Sequence, residues 1–524
     1  MAGAVRQCGL VLALIVAACS PCAAQTISVT ELSQRIDQRL GVDADHAALA
    51  SNPVFLRRLT LDLVGRIPSI AEVHEYLENT SDFRRTDAIR RLMQSGVFYR
   101  NMATFWRRAW VPQADTREFA AVADGFELWV AERLRNGTSY DKLVVEILTA
   151  ERSKSSASKT TPAGFYDANQ FKPENLAASS TRAFLGINLD CAQCHNHPFS
   201  RWTREQFWQT AAFFATPTMG DDRQAMLPKV RVPDTELEYQ PVLLNKADFH
   251  VPSKLDSVTL RGALVDWMQS DQERLLAKNA VNRLWAHFFG EAIIEPIDDL
   301  SRDEFKSGAR AELLNELSSA FIAANYDLNF VIEAIVGSNA YRLASSASSE
   351  QAATKSVADA NSQLPPEDPQ RFQIAEASIR GLTGEQLYDS LQTAAGIAAE
   401  RKDITNPPGR GRRRDFSSLF YVERAHNAER SISQALALMN GSFVNELSTA
   451  KGNPMLASVV SSPFMTADEQ IDTVFIAVLS RHVQAAELAA VKNHFESNAE
   501  LVREQQLGNL FWVLVNSAEF NTNH

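Results

Sequence analysis

The sequence contains few cysteines, and this scarcity excludes a scaffold held together by disulfides. Only five of the 524 residues are cysteine. Cys8, Cys19 and, in one reading, Cys22 belong to an N-terminal export signal, so the mature chain keeps little beyond Cys191 and Cys194. A two-cysteine chain of this length must obtain its stability from a large buried core, and the pair itself needs a separate purpose.

Positive charge is also scarce. The chain has 52 Lys and Arg residues against 63 Asp and Glu residues, a formal net charge of -11. Nucleic acids and anionic lipids both bind basic surfaces, so we expect neither as a partner. One local basic cluster, Arg410 with residues 412–414, stands beside Pro and Gly residues, and we interpret it as a solvated loop. The sequence has no glycine-rich phosphate loop and no nucleophile elbow.

The apolar run at the N-terminus is too short to be a membrane anchor. Residues 10–18 are Leu, Val, Ile and Ala, and Arg6 is the only charge before them. We therefore predict that residues 1–24 are a signal peptide and that the protein is exported, to the periplasm or the cell envelope. Cleavage before Cys19 would instead give a lipoprotein anchored through that cysteine. Both cleavage sites remain open, and neither leaves a transmembrane span in the mature chain.

Strand signals are sparse, and hydrophobic periodicity predicts a mainly α fold. Between residues 276 and 289 the apolar side chains recur with helical spacing, and Gly290 follows as a stop. Only residues 229–232 and 242–244 suggest strands, which would form at most a small β ribbon. Further helices are predicted over residues 71–77, 86–93, 125–134, 140–148, 313–324, 330–336, 384–395, 431–447, 468–479, 485–496 and 505–515.

The length of the chain allows two or three domains. Residues 217–255 are rich in Pro, Asp and Met and lack helical periodicity, so we predict a Pro-rich irregular linker there. It would join an N-terminal domain of residues 27–216, which holds the cysteines, to a C-terminal helical domain of residues 256–524. Residues 345–369 are dominated by Ser, Ala, Asp and Gln and predict an exposed loop within the second domain.

Residues 191–195 have the CxxCH spacing of c-type haem attachment. Two thiols at this spacing can add to the vinyl groups of a haem, while the adjacent imidazole becomes an axial ligand of the iron. We therefore predict haem c bound through Cys191, Cys194 and His195. A sixth ligand from the protein would come from elsewhere, and the candidates are Met219, Met226, His250 and His287.

Two other readings of the cysteines remain open. His197 lies two residues beyond His195 and cannot easily reach the opposite face of the same haem. A non-haem site would use Cys191, Cys194, His195 and His197 together as ligands for Zn or another transition metal. The third reading is a disulfide or a thiol pair without any prosthetic group.

Acidic residues follow the helix predicted to end at Gly290. Asp298 and Asp299 could act as acid and base, because neighbouring carboxylates push their pKa values apart. We favour the simpler interpretation, a helix cap and an ion pair with Arg283.

A longer resemblance surrounds the CxxCH motif. The first part of the chain resembles the planctomycete cytochrome-like domain (domain of unknown function 1549), and the rest resembles its usual C-terminal companion (domain of unknown function 1553). The matching segments are residues 55–63, 191–199, 202 and 213–214 in the first domain, and 261–267, 282–285, 289–290, 298–299, 382–387, 434–436, 440–441 and 516–520 in the second. Where the family often has Asp this chain has Asn196, which removes a carboxylate that could hold the second nitrogen of an imidazole.

The resemblance implies a cytochrome-like role, and three functional classes follow. The first is an exported c-type-cytochrome-like protein that transfers electrons to a redox partner protein. The second is a metal-dependent extracytoplasmic enzyme that uses Cys191, Cys194, His195 and His197 as ligands. The third is a non-catalytic binding or scaffold protein. The sequence does not decide whether the protein is an enzyme.

Overall fold

The computed structural model of the protein describes residues 27–43, 47–115, 119–151, 161–219, 225–245, 255–301, 307–345, 372, 374, 376–397, 411–420 and 431–524. The predicted signal peptide with Cys19, nearly all of the predicted loop 345–369, and His250 lie outside these ranges. In the described ranges the architecture is mainly α with small two-stranded ribbons, which confirms the predicted fold class. None of the described helices is long and apolar enough to cross a membrane.

The helices up to the linker are α1 (Val29–Leu40), α2 (Asn52–Val64), α3 (Ile70–Glu78), α4 (Arg84–Met93), α5 (Gly96–Trp110), α6 (Ala120–Arg135), α7 (Tyr140–Leu148), α8 (Gly164–Ala168), α9 (Pro173–Ser180) and α10 (Arg204–Ala211). Those beyond it are α11 (Ser257–Ser270), α12 (Leu275–Phe289), α13 (Ala309–Ala323), α14 (Leu328–Gly337), α15 (Gly384–Ala394), α16 (Arg412–Leu419), α17 (Ile432–Asn440), α18 (Ser442–Leu447), α19 (Pro454–Ser461), α20 (Ala467–Leu479), α21 (Ala485–Ser497), α22 (Arg503–Val515) and α23 (Ala518–Asn521).

Short elements complete the fold. The 3-10 turns are Pro112–Asp115, Asp190–Ala192, Ala212–Phe214 and Ala340–Arg342, and Thr181–Leu185 is a π-helical turn. The antiparallel strand pairs are β1 (Thr218–Met219) with β2 (Ala225–Met226), β3 (Val230–Arg231) with β4 (Glu238–Tyr239), and β5 (Arg380–Gly381) with β6 (Thr522–Asn523).

Two local predictions need correction. Residues 242–244, which were expected to be a strand, are irregular. Strand β3 pairs instead with β4, because the chain reverses between them in a turn in which Val232 N donates to Leu237 O. The single helix expected over 431–447 is two helices, because Gly441 is extended and ends α17 where α18 begins.

The basic cluster is also not a solvated loop in its described part. Residues 412–414 begin α16, and each arginine pairs with a carboxylate from another element. The Arg413 guanidinium pairs with the buried Asp389 carboxylate, with 2.8 Å between Nη2 and Oδ2. A buried charge is stable only when it is paired in this way, so Arg413 is part of the packed interior, whereas Arg412 and Arg414 make their ion pairs near the surface.

The buried apolar side chains form two cores. The larger core is built from residues 32–341, with Ile476, so helices on both sides of the predicted linker pack against one another. The smaller core is built from residues 382–520, with Leu61 and Ile67 contributed by α2 and the turn after it. Helix α2 therefore contributes to both cores. The boundaries predicted for the two domains stay a prediction.

Polar groups of α2 join the first helices to the C-terminal segment. Arg57 donates to the Phe520 carbonyl (2.8 Å), and Arg58 donates to the Tyr341 carbonyl (2.6 Å). The Asp62 carboxylate accepts from Asn523 Nδ2 at 2.7 Å and lies in a buried ion pair with Arg380. A buried donor or acceptor that loses its partner destabilises the fold, so these bonds help to fix the position of α2 between the two cores.

Candidate functional site

The CxxCH residues begin within the turn Asp190–Ala192 and continue into an exposed loop that leads to helix α10. Cys191 and Cys194 are exposed and are not bonded to each other. His195 is also exposed, whereas Ala192 between the cysteines is completely buried. Two free thiols and one imidazole are therefore available to a ligand, while the loop itself is attached to the core.

The core holds this loop through a tryptophan of α10. The Trp208 indole Nε1 donates to the Gln193 carbonyl at 3.1 Å, between the two cysteines in sequence. Trp208 is itself only 2% exposed. The position of the thiol loop thus depends on a rigid aromatic side chain, and the thiols themselves make no hydrogen bond in the described structure.

The tautomer of His195 leaves one nitrogen free for a metal. Its Nδ1 lies 2.7 Å from the Asn196 carbonyl oxygen. Because a carbonyl can only accept, Nδ1 carries the proton, and in the neutral ring the lone pair is then on Nε2. Metal-bound histidines are generally held in this way, with one nitrogen donating to a carbonyl or carboxylate and the other binding the metal.

His197 has the opposite arrangement. Its Nδ1 accepts a hydrogen bond from Phe199 N at 3.1 Å. The lone pair of Nδ1 is thus occupied, and in the neutral ring Nε2 carries the proton, so neither nitrogen is free for a metal without breaking this turn. The geometry separates the two histidines: Nε2 of His195 keeps its lone pair, whereas the lone pair of His197 is used in the turn to Phe199.

Asn196 has two roles that do not require a carboxylate. Its backbone carbonyl holds His195, which is the role that a side-chain Asp could have filled. Its side-chain Oδ1 accepts from Arg204 N at 3.0 Å, at the first residue of α10. Although this chain has Asn196 where the family often has Asp, the imidazole of His195 still has a hydrogen-bond acceptor.

The candidates for a sixth ligand lie on other elements. Met219 and Met226 are exposed residues of the ribbon β1–β2, one residue apart in register. His287 lies on α12, where its Nε2 is 3.0 Å from the Asp62 carbonyl oxygen and its ring contacts Phe105. Burial lowers the pKa of His287, so the ring is neutral at physiological pH. None of these three side chains has a hydrogen bond or ring contact with residues 191–197 among the contacts that the structure describes.

The described residues, those of the CxxCH loop included, contain no ready-made cluster of metal ligands. No group of three or more His, Cys, Asp or Glu side chains among them is placed to hold an ion. Asp298 pairs with Arg283, and Asp299 accepts from Ser301 Oγ at 3.2 Å. The ion pair with Arg283 is the one that the simpler interpretation expected. The helix cap is not formed by these residues, because α12 ends at Gly290 and α13 begins after Gly308.

Comparison with protein families gives two consecutive matches. The family described as a protein of unknown function (DUF1549) matches residues 34–218, and the family described as a protein of unknown function (DUF1553) matches residues 260–413. Residues 34–218 are thus similar to DUF1549 and residues 260–413 to DUF1553, and these two matched segments are called here the DUF1549 domain and the DUF1553 domain. The matches confirm the resemblance to both families and their order along the chain. No curated protein and no solved structure matches the chain.

The CxxCH loop belongs to the DUF1549 domain, but both of its ends are bound by the DUF1553 domain. Before the loop, Asn279 Nδ2 donates to the Ala183 carbonyl at 2.7 Å. After the loop, Trp202 Nε1 donates to Ser301 Oγ at 2.9 Å. Asn279 and Ser301 are buried, so these are interior contacts and not surface ones.

Sequence reasoning missed these supporting residues. Asn279 was not singled out as a site residue, and Arg283 was expected only as an ion-pair partner of the acidic residues. Both are buried and bind backbone carbonyls of the π-helical turn Thr181–Leu185. Their burial was hard to predict from the sequence, because polar residues at helical spacing normally face solvent. The only sequence signal for Ser301 was its place two residues after the pair Asp298 and Asp299.

Proposed function

We propose that the protein is an exported c-type-cytochrome-like protein that binds haem covalently through the CxxCH loop and transfers single electrons to a redox partner protein. The observation that carries the proposal is the His195 ring, whose Nδ1 is held by the Asn196 carbonyl so that Nε2 keeps its lone pair. That imidazole directly follows two free and exposed thiols. Haem attachment requires this combination, and a structural disulfide does not.

The roles of the three residues follow from their chemistry. Cys191 and Cys194 would hold the haem through two thioether bonds, each made by adding a thiol across one vinyl group, with the thiol proton going to the neighbouring vinyl carbon. His195 would bind the iron through the lone pair of Nε2. Bound haem would supply a one-electron redox centre. Export is part of the proposal, because covalent attachment takes place outside the cytoplasm.

The support for haem over a four-ligand metal site comes from His197. A tetrahedral site would need its imidazole as a ligand, yet Phe199 N donates to its Nδ1. Covalent haem needs only Cys191, Cys194 and His195 from this loop. The haem proposal therefore leaves the observed turn intact, whereas the zinc alternative requires a rearranged one.

The experiment is expression of the full chain with and without a c-type cytochrome maturation system. The purified protein is then examined by a haem-stained denaturing gel, a visible spectrum and elemental analysis. We expect a haem-stained band only with the maturation system, and none in a Cys191→Ser, Cys194→Ser variant. A colourless protein with stoichiometric zinc would instead support the metal-dependent enzyme, and a colourless protein without metal would support a scaffold.

A further inference from the structure

The DUF1553 domain holds the segment just before the CxxCH loop by three backbone contacts. Arg283 Nη2 donates to the Arg182 carbonyl at 3.0 Å and Asn279 Nδ2 donates to the Ala183 carbonyl at 2.7 Å. Leu300 N donates to the Gly186 carbonyl at 2.8 Å. Each contact fixes a peptide group rather than a side chain, so the backbone at the start of the loop has a defined position.

The same region of DUF1553 holds the segment just after the loop. Trp202 Nε1 donates to Ser301 Oγ at 2.9 Å, and the Ser301 hydroxyl donates onward to Asp299 Oδ1 at 3.2 Å. Trp202 and Ser301 are 4% and 3% exposed, so water does not compete for these bonds. The direction of these two hydrogen bonds is fixed. An indole nitrogen can only donate, so the Ser301 hydroxyl oxygen must accept from it.

The packing between the two domains is tight where the loop begins. Gly186 has a positive φ of 61°, and a Cβ atom added there would lie 2.9 Å from Leu300 Cδ1 and 3.0 Å from Asn279 Oδ1. A side chain at this position would push the DUF1553 residues away. The contact therefore depends on glycine for close approach as well as for its backbone conformation.

We infer that the DUF1553 residues Asn279, Arg283, Leu300 and Ser301, called here the clamp, are positioning residues for the haem-binding loop of DUF1549. The inference rests on the proposed function and assigns a role to the second domain. Between its two held ends, the loop carries the thiols and His195 at the surface. Fixing both ends restricts the backbone, so the three reacting groups meet haem in one arrangement.

The test uses the full chain and changes one bond of the clamp. Ser301→Ala removes the acceptor of the Trp202 N–H, and Trp202→Phe removes the donor while keeping an aromatic ring. Ser301→Thr keeps the hydroxyl and is the conservative rescue. Ser318→Ala is the matched control, because Ser318 is also buried in DUF1553 but bonds only within its own helix, to the Leu314 carbonyl.

Two readouts are measured on each variant. The first is amide hydrogen exchange of residues 187–201 in protein produced without haem. The second is the haem content and visible spectrum of protein produced with the maturation system. We expect Ser301→Ala and Trp202→Phe to raise exchange in the loop by about three- to tenfold, the effect of losing one buried hydrogen bond. Both should lower the haem content and alter the spectrum. Ser301→Thr and Ser318→Ala should match the unchanged protein in both readouts.

The outcomes distinguish a failure of the proposed haem-binding function from a failure of the positioning role of the clamp. Absence of haem from the unchanged protein overturns the proposed function whatever the variants do. If that protein carries haem, two results would overturn the role of the clamp. One is an unchanged rate of amide hydrogen exchange in the loop of Ser301→Ala, and the other is an equal rise in Ser318→Ala. Raised exchange with normal haem content and spectrum also overturns it, because the bonds would then order the loop without positioning the haem ligands.

Discussion

Asp62 and Arg380 form a buried ion pair between helix α2 and strand β5. Arg380 Nη2 lies 2.8 Å from one carboxylate oxygen of Asp62 and 3.0 Å from the other. The same carboxylate accepts from Tyr341 OH and Asn523 Nδ2, each at 2.7 Å. Four segments that are far apart in sequence therefore meet at one carboxylate, which links the DUF1549 domain to both ends of the smaller core.

Removing this charge should destabilise the whole protein. Asp62→Asn keeps the size of the side chain but leaves the Arg380 guanidinium buried without its counter-charge. Breaking a buried pair in this way costs roughly 3–5 kcal/mol. The free energy of unfolding, measured in urea, should fall by that amount.

The control for this prediction is an ion pair on the surface. Asp468 and Lys492 lie 3.0 Å apart, and both side chains are about half exposed. Asp468→Asn should change the free energy of unfolding by less than about 1 kcal/mol, because water screens exposed pairs. Equal losses for the two variants would contradict the central role of Asp62.

The protein should lose stability as the pH falls from about 6.5 to about 4. Burial, aided by the charge of Arg57, lowers the pKa of His524 to about 4, and burial also lowers the pKa of His287. Between these pH values the unfolded chain takes up protons that the folded chain does not, so unfolding is favoured as the pH falls.

The measurement is the urea midpoint at pH 7 and at pH 5. A His287→Asn, His524→Gln variant should show a smaller drop between the two pH values, even if it is less stable at both. The same drop in the variant and in the unchanged protein would show that other groups cause the pH dependence.

The two histidines of the loop should behave differently when they are replaced. His195→Ala should abolish the low-spin haem spectrum while thioether attachment partly persists, because the axial nitrogen is lost. His197→Ala should keep that spectrum, since Phe199 N already occupies its Nδ1. Visible spectra of the matured variants check both expectations, and loss of the low-spin spectrum in His197→Ala would restore this residue as a ligand.

Glycine substitutions should separate close packing from backbone strain. Gly186 and Gly137 both have a positive φ, but a Cβ atom at Gly137 would meet nothing within 4 Å. Gly137→Ala should therefore cost only the backbone strain, about 1–2 kcal/mol. Gly186→Ala should cost about 1–3 kcal/mol more because it displaces the clamp. Thermal and urea unfolding provide the comparison, and equal costs would show that the contact with Leu300 can relax.

Helices with one apolar face were predictable from the sequence, and buried helices were not. Helix α7 has the predicted bounds, because its apolar residues recur with helical spacing. Helix α2 was not predicted, although residues 55–63 are part of the family resemblance. Residues 55–64 are all buried, the polar ones included, so no exposed polar face marks the helical period. The break at Gly441 was also missed, because a Cβ atom there would lie 2.2 Å from the Ala437 carbonyl oxygen, a contact that periodicity does not reveal.

The candidate site was predictable where its residues are adjacent in sequence. The motif placed Cys191, Cys194 and His195 together without any knowledge of the fold. The assignment of His195 and His197 needed hydrogen-bond geometry, which fixes the tautomers. The bond between Trp202 and Ser301 joins residues 99 positions apart. No local pattern encodes such a contact, so the contribution of DUF1553 became visible only in three dimensions.

The mass of the tryptic peptide covering residues 183–201 tests the central claim most directly. This peptide contains both cysteines and His195, and it is released by cleavage after Arg182 and Arg201. From protein matured in an extracytoplasmic compartment, we predict a peptide that carries one haem and resists reduction. A peptide with the mass of an intramolecular disulfide, returning to two free thiols on reduction and carrying neither haem nor metal, would contradict the account.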